Sequence, residues 1–244
     1  VDVIEKVAGR VNAGTASGGG VAALRSTLDV GSARFIGNSV EPGAGWSCLG
    51  GGIGLLSGSA TLTNVVALDN TTRIGFACDF GFETYALGGA LYVAEGADAI
   101  INQSTIAQNT ATCSGDIYVD GSLQVQNSIL WDGDTTLERS TSAMVQVLYS
   151  AVDSGWPGEG NTDANPILDS DGRPQPGSPA IDAANSFLVP GDVLDLDGDG
   201  LRLEPLPMDV AGQSRLMDDP SVPDTGPGAP PVVDMGAFEA QPCA

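Results

Sequence analysis

The chain has 244 residues, of which 42% are hydrophobic, so it can bury a sizeable core in one or two domains. Its net charge of -22 argues against nucleic acid and anionic membranes as partners, since both are bound through Lys and Arg. No apolar run approaches the ~20 residues of a membrane span, and the lack of histidine excludes a Ser-His-Asp triad. The 34 Gly and 15 Pro favour short strands and tight turns over long helices.

Two sequence blocks recur four times in the first part of the chain. The first block occurs as "GGVAAL" (19–24), "GGIGLL" (51–56), "GGALYV" (88–93) and "SGDIYV" (114–119). The second occurs as "ARFIGN" (33–38), "VVALDN" (65–70), "STIAQN" (104–109) and "SILWDG" (128–133). Gly20 to Asn38 and Gly52 to Asn70 each span 18 positions, whereas the segments between copies vary in length. The copies thus have a nearly constant length, whereas the connection to the next copy, which we call the variable corner, does not. This pattern predicts parallel strands stacked ~4.8 Å apart.

Aligning the copies places similar side chains in columns. The first apolar column contains Val30, Leu62, Ile101 and Val125, and the second contains Phe35, Ala67, Ile106 and Leu130. Asn38, Asn70 and Asn109 form a polar column. Counting back from Gly20 places Ile4 with Val30 and Asn12 in the Asn column. We therefore expect the chain to begin part-way through a coil, with an exposed sheet edge, as a mature or excised product.

Four cysteines, Cys48, Cys78, Cys113 and Cys243, occur without CxxC spacing. Zinc is disfavoured because the thiols are scattered and the chain has no histidine, so disulfides in an oxidising compartment are the better interpretation. Sequence alone leaves three pairings open. The first three cysteines lie in the variable corner, which makes Cys48–Cys78 or Cys78–Cys113 compatible with neighbouring coils. Of these two we favour Cys48–Cys78.

The C-terminal part, residues 153–244, has 17 acidic and 3 basic residues and many prolines. Within it, Asp195, Asp197 and Asp199 alternate ahead of Gly200, as in the first half of an EF-hand, and Leu201 takes the position that supplies a backbone carbonyl. The EF-hand pattern ends there, because position 12 is Leu206 and the nearby prolines exclude flanking helices. Glu204, Asp209 or Asp192 would complete a ligand set. We predict a structural Ca²⁺ site here, the alternative being an Asp-rich turn without an ion.

The repeat "GGAL" followed by "FIGN" (35–38) resembles that of polymorphic outer membrane proteins and, more broadly, the right-handed parallel β-helix of the pectate-lyase-like superfamily. The C-terminal part resembles the choice-of-anchor Q module in "YSAVDSGWPGEGNTDANPIL" (149–168), "GSPAIDAA" (177–184), "MDVAGQSR" (208–215) and "VVDMGAFE" (232–239). These resemblances imply an all-β solenoid at 1–152 and an irregular module at 153–244 packed on it as one structural domain. They also imply a secreted or cell-surface bacterial protein, and they assign no reaction.

Two enzymatic interpretations assign acidic residues of the repeats to an active site. A β-helix polysaccharide lyase needs a basic residue beside calcium-binding carboxylates, and Arg73 lies near Asp69 and Asp79 in the longest corner loop. A surface ion pair is the simpler role for this arginine. Clustered carboxylates for a hydrolase are offered by Asp116, Asp120, Asp132 and Asp134. Corner and turn positions explain these acids equally well.

The expected function is therefore a non-catalytic, secreted or cell-surface structural or adhesive protein. Its exposed strand edge favours end-to-end self-association into filaments, or attachment to another surface protein, because strand edges pair readily. The alternative is a carbohydrate-active enzyme or a glycan-binding module. For glycan binding, Trp46 is the candidate, since packing is the expected role of Trp131 and Trp156.

Overall fold

The computed structural model describes residues 2–5, 8–11, 16–42, 47–74, 85–133 and 136–241. Within these ranges the protein is all-β, with 23 strands and one short 3₁₀ helix. All pairs between these strands are parallel. The prediction of an all-β chain with parallel sheets is confirmed. None of its described helical segments has the length and apolar character needed to cross a bilayer.

The strands follow one another in successive circuits through five sheets. The first circuit contains β1 (Asp2–Glu5), β2 (Ala8–Val11), β3 (Ala16–Ser17), β4 (Val21–Ala23) and β5 (Ser26–Gly31). The second contains β6 (Ala33–Ile36), β7 (Ser39–Pro42), β8 (Cys48–Leu49), β9 (Ile53–Leu55) and β10 (Gly58–Thr63). The third contains β11 (Val66–Leu68), β12 (Thr71–Thr72), β13 (Ala86–Leu87), β14 (Leu91–Val93) and β15 (Ala97–Asn102).

The last circuits use fewer strands. The fourth contains β16 (Thr105–Ala107), β17 (Thr110–Ala111), β18 (Ile117–Val119) and β19 (Ser122–Gln126). The fifth contains β20 (Ile129–Trp131), β21 (Leu137–Arg139) and β22 (Met144–Leu148), and β23 (Ala151–Val152) follows it. We name the sheets by strand order: A is β1-β6-β11-β16-β20-β23, B is β2-β7-β12-β17, C is β3-β8-β13, D is β4-β9-β14-β18-β21 and E is β5-β10-β15-β19-β22. This arrangement of stacked parallel sheets is compatible with a β-helix.

The columns read from the sequence are in register in the structure. Leu62 of β10 lies opposite Val30 on one side and Ile101 on the other. In sheet A, Ala67 likewise lies between Phe35 and Ile106. These side chains belong to one buried apolar core, which runs through the circuits. Burial of small and β-branched side chains in matching rows therefore sets the register.

The asparagine column is a hydrogen-bonded ladder. The amide Nδ2 of Asn38 donates to Oδ1 of Asn70 at 2.9 Å, and Nδ2 of Asn70 donates to Oδ1 of Asn109 at 2.9 Å. All three residues are buried. Each amide therefore satisfies the next, as burial of polar groups requires.

The predicted N-terminal alignment is wrong. Ile4 lies opposite Phe35, five positions from Val30. The variable corner precedes each Gly-Gly block, so a count back from Gly20 crosses a segment of no fixed length. Asn12, which the same count placed in the Asn column, lies outside the described residues.

Residues 153–241 form an irregular segment with isolated β-bridges and the 3₁₀ helix Ser186–Leu188. The segment packs on the outer face of sheet A in two apolar clusters. The first joins Val66, Leu68 and Ala107 to Val210, Ala237 and Phe238, and the second joins Ile129 and Ala151 to Ala180, Ala183, Ala184, Val233 and Met235. Guanidinium groups of Arg34 and Arg173 lie 5.2 and 4.3 Å from the Phe238 ring centroid. Side chains of β11, β16, β20 and β23 that point away from the repeat core are therefore covered by the C-terminal segment.

The cysteines only partly follow the prediction. Cys48 is a buried free thiol, so the favoured Cys48–Cys78 pairing is wrong. Ala86 lies beside Cys48 in sheet C and accepts a hydrogen bond from the Cys113 N–H, so alanine separates these two cysteines in the column. Burial, the main cause, together with the charge of Glu41, raises the pKa of the Cys48 thiol to about 12. Cys113 is disulfide-bonded, and Cys78 and Cys243 lie outside the described residues.

Candidate metal centre

The predicted metal loop closes on itself and rests on sheet E. Gly191 and Pro205 form an antiparallel bridge, and Asp192 N donates to Glu204 O at 2.9 Å. Leu194 packs so closely over Gly31 that a Cβ there would lie 2.5 Å from Leu194 Cδ1. The ends of the loop are therefore joined, and a leucine fixes it on β5.

Five carboxylates of this loop form two overlapping groups. Oxygens of Asp195, Asp197 and Asp199 lie within 4.8 Å of one another. Oxygens of Asp192, Asp197 and Glu204 do the same. Asp197 belongs to both groups, so the structure brings together the three alternating aspartates and two of the three further candidates, Asp192 and Glu204.

Backbone hydrogen bonds orient the three alternating aspartates. Asp195 Oδ1 accepts from Gly200 N at 3.0 Å, and Asp199 Oδ1 accepts from Leu201 N at 2.7 Å. Asp197 Oδ1 accepts from Asp199 N at 3.2 Å. Such turns hold the side chains without a cation, which is the alternative that the sequence left open.

Two carboxylates with buried oxygen atoms distinguish the site from an ordinary acidic turn. Asp192 is 1% exposed, and its Oδ2 accepts from Leu196 N at 2.8 Å. Its Oδ1 is buried and has no hydrogen-bond partner among the described residues, and the same holds for Glu204 Oε1. Desolvation, and then the charges of neighbouring aspartates, raise the pKa of the Glu204 carboxyl. Unpaired buried carboxylate oxygens at one place fit a hard cation that takes oxygen ligands, as Ca²⁺ does.

Asp209, also a predicted ligand, lies elsewhere. Its Oδ1 accepts from Ala211 N and Gln213 N at 2.8 Å each, and its Oδ2 accepts from Glu239 N at 3.1 Å. It is buried and belongs to neither carboxylate group of the loop. Leu201 is exposed, and its N–H serves the Asp199 turn. Asp209 therefore orders the backbone near the C-terminus of the described chain.

A buried ion pair lies beside Asp209. Arg215 is fully buried, and its Nη1 lies 3.4 Å from Glu239 Oε2. The guanidinium also donates to the carbonyls of Gly236 at 3.0 Å and Ala237 at 2.8 Å. Glu239 Oε2 accepts a second hydrogen bond from Asp234 N. We call Asp209, Arg215, Asp234 and Glu239 the arginine lock; it joins the motifs "MDVAGQSR" and "VVDMGAFE" in space.

The arginine lock contacts the repeats through a second polar column, which the alignment of the four repeat copies did not identify. Its members are Ser32, Asn64, Gln103 and Asn127, each two residues after the first apolar column and each with positive φ. Asn64 Oδ1 accepts from Arg215 Nη2 at 2.7 Å, and Gln103 Nε2 donates to Asp234 O at 3.3 Å. Asn127 exchanges two hydrogen bonds with the Asn185 backbone, each of 2.9 Å. The constant offset of two residues from the apolar column was the sequence signal for this polar column. Its hydrogen bonds attach the C-terminal segment to the repeats.

The residues considered for catalysis do not form a site within the described part of the chain. Arg73 and Asp69 are exposed, and Asp79 and Trp46 lie outside the described residues. Asp116 is fully buried at the end of the asparagine ladder, where Asn109 Nδ2 lies 3.3 Å from its Oδ2. Burial, and then the charge of Asp132, raise the pKa of Asp116 to about 9. Asp116 is therefore closed to a substrate and terminates the ladder.

A cleft of about 630 Å³ lies over sheets C and D. Tyr92 and Tyr118, opposite each other in β14 and β18, stack with centroids 6.3 Å apart and planes at 9°. Tyr92 donates to Asp120 Oδ2 at 2.8 Å. Glu138 and Arg139 complete the polar lining. Such a mixture of aromatic faces and polar groups is typical of ligand-binding clefts. The matching tyrosines in "GGALYV" and "SGDIYV" were the sequence signal for it.

Comparison with known proteins finds no match for this chain among family models, curated proteins or solved structures.

Proposed function

We propose that this chain is a right-handed parallel β-helix that serves as a non-catalytic structural or adhesive protein at a bacterial cell surface. In this proposal Ca²⁺ occupies the 192–204 loop and holds it on the repeats. The resemblance of the repeats to polymorphic outer membrane proteins, and of 149–239 to the choice-of-anchor Q module, supports the fold and the location. The unpaired carboxylate oxygens of Asp192 and Glu204 support the ion.

The observation that carries the adhesive role is a difference between the two ends of the sheet stack. At one end, Trp156 packs against the core and Thr162 pairs with Ala151 of β23. At the other end, β1 to β5 are the outermost described strands of all five sheets. Among the described residues no strand pairs with the outer edges of β1 to β5, and such edges pair readily with another chain. A second copy or another surface protein would pair with these strands.

Cover over sheet A at one end limits the size of a self-assembly. A filament needs pairing at both ends, and at the far end Thr162 already occupies the edge of β23, so pairing through β1 to β5 alone closes with two copies. We therefore expect a dimer rather than the filament that the sequence favoured. Light scattering coupled to gel filtration, at rising protein concentration with calcium, measures this mass. A monomer at high concentration would contradict self-association, and a filament would contradict the covered end.

Proline substitutions in β5 test whether this edge forms the contact. Ser26 and Thr27 are exposed neighbours. N–H groups of successive strand residues point to opposite sides, so Ser26→Pro and Thr27→Pro remove one inward and one outward donor. Loss of the inward donor breaks a hydrogen bond to β10 and should alter the circular dichroism spectrum, whereas loss of the outward donor should not. We expect the variant with the wild-type spectrum to be monomeric. Unchanged dimerisation of that variant would exclude this edge as the contact.

A second candidate function is glycan binding in the tyrosine cleft, which the stacked Tyr92–Tyr118 pair favours. Aromatic faces stack on sugar rings, while Asp120, Glu138 and Arg139 offer hydrogen bonds. Tyr118→Ala should abolish binding to a panel of neutral oligosaccharides, with Trp46→Ala as the matched aromatic variant. Loss of binding in Trp46→Ala, with binding retained in Tyr118→Ala, would contradict a contact between the sugar and the tyrosine pair. An absence of binding in the wild type would leave the structural role as the only candidate.

A further inference from the structure

A second group of carboxylates lies outside the metal loop, where the chain passes twice through one region of the C-terminal segment. Oxygens of Asp182, Asp218 and Asp224 lie within 4.8 Å of one another. Asp182 belongs to the "GSPAIDAA" motif (177–184), whose alanines pack against Ile129 and Ala151. Asp218 and Asp224 lie on the following surface loop and are exposed. The group therefore joins an inner part of the segment to an outer loop.

Asp182 is the unusual member of this group. Its side chain is 1% exposed, and its Oδ2 has no hydrogen-bond partner among the described residues. Its backbone is fully engaged: the N–H donates to Asp234 Oδ1 at 2.8 Å, and the carbonyl accepts from Thr225 N at 2.8 Å. Hydrogen bonds on both sides of the backbone thus fix a carboxylate that lies near two others and has one unpaired oxygen. Leaving such an oxygen unpaired is costly.

The neighbouring acid shows that the group is not simply a set of turn-forming aspartates. Asp219 Oδ1 accepts from Ser221 N at 3.0 Å and from Ser221 Oγ at 2.6 Å, so that carboxylate is satisfied within its own turn. Asp182 Oδ2 has no such partner. Burial, and then the charges of Asp234, Asp218 and Asp224, raise the pKa of Asp182 to about 7. A cation at this place would offset both the repulsion and the desolvation.

We propose that Asp182, Asp218 and Asp224 form a second calcium site, which fastens the 216–225 loop to the inner part of the C-terminal segment. Three carboxylates with no nitrogen or sulfur ligand suit a hard divalent cation, and water can fill the exposed remainder of a six- to eight-oxygen shell. One buried ligand anchors the ion, and two exposed ligands close over it. This site is independent of the ion proposed for the 192–204 loop.

Calcium stoichiometry, measured by isothermal titration calorimetry on the full chain, tests the second site. The wild type should bind two ions, and Asp218→Asn/Asp224→Asn should bind one. Both substituted side chains are exposed, so the fold should be retained, which circular dichroism checks. Asp98→Asn, which changes an exposed aspartate of β15 away from both sites, should still bind two ions.

The variants separate the two calcium proposals. If the 192–204 loop holds no ion, the wild type binds one, Asp197→Asn/Glu204→Gln still binds one, and Asp218→Asn/Asp224→Asn binds none.

Asp182→Asn gives a second check: without calcium it should be more stable than the wild type, because it removes an unpaired buried charge, and it should bind one ion fewer. The second site is overturned if Asp218→Asn/Asp224→Asn or a folded Asp182→Asn binds as many ions as the wild type.

Discussion

The repeats and the C-terminal segment are held together by different forces. In the repeats, rows of apolar side chains such as Phe35, Leu62 and Ile101 are buried in register between parallel strands. The C-terminal segment has few strand contacts of its own, and besides its apolar clusters on sheet A it is fixed by side chains that bind backbone groups, as Arg215 binds Gly236 and Ala237. Apolar burial does not depend on salt or pH to first order, whereas buried charges do. The two regions should therefore respond to different perturbations.

Breaking the arginine lock should have the largest effect. Arg215→Met leaves Glu239, Asp209 and Asp234 buried without their cation, and removal of one partner of a buried pair costs about 3–5 kcal/mol. We expect the 153–241 segment to become sensitive to limited proteolysis while the repeats stay protected. Arg73→Met, at an exposed arginine, should leave the protease pattern unchanged. Equal sensitivity of both regions would mean that the lock stabilises the whole chain.

A cavity in the repeat core should instead lower the stability of the repeats, and by the same amount with and without calcium. Leu123 is 1% exposed in β19, and Leu→Ala at such a site costs about 2–5 kcal/mol. Unfolding in urea should show this loss both with calcium and with EDTA, because the apolar core holds no ion ligand. Leu24→Ala, at a leucine of the repeats that is 63% exposed, is the control and should change the free energy of unfolding by less than about 0.5 kcal/mol. A calcium-dependent loss in Leu123→Ala would contradict the separation of the two regions.

The difference between the repeats and the C-terminal segment also explains which features could be predicted from sequence. Repetition made the strands, the apolar columns and the asparagine ladder readable, because a register repeated four times averages out local ambiguity. The alignment across the variable corner failed at Ile4, since loop length there follows no pattern. The aspartate loop was predictable from spacing, but its buried member Asp192 was one of three possible ligands. Asp209 was misplaced and Asp182 was missed, because only long-range packing decides which carboxylate keeps a free oxygen.

Removal of calcium should affect only the C-terminal segment, with a smaller energy. A ligand present at a hundred times its Kd stabilises the bound state by about 2.7 kcal/mol. EDTA should therefore lower the melting temperature and the protease resistance of 153–241. In Asp197→Asn/Glu204→Gln the part of this response due to the loop should be lost, while Asp98→Asn should respond like the wild type. The loop proposal fails if EDTA leaves the wild type unchanged.

The last prediction concerns pH and returns to the repeats, where Asp116 is a buried carboxyl group in a largely apolar and amide-lined region. Because burial raises the pKa of Asp116 to about 9 in the folded chain, the folded state keeps a proton there that the unfolded state loses above about pH 4. Stability should therefore fall as the pH rises through this window, by about 1.4 kcal/mol per pH unit, and level off above pH 9.

Asp116→Asn tests this directly, because the amide keeps an oxygen for Asn109 Nδ2 and cannot ionise. The free energy of unfolding, measured in urea between pH 5 and 8, should exceed that of the wild type by an amount that grows with pH. Asp98→Asn, at an exposed carboxylate, should show no such growing difference. A constant difference between Asp116→Asn and the wild type would mean that Asp116 is already ionised in the folded chain. The asparagine ladder would then end on a charge, and the repeats would share the pH sensitivity of the C-terminal segment.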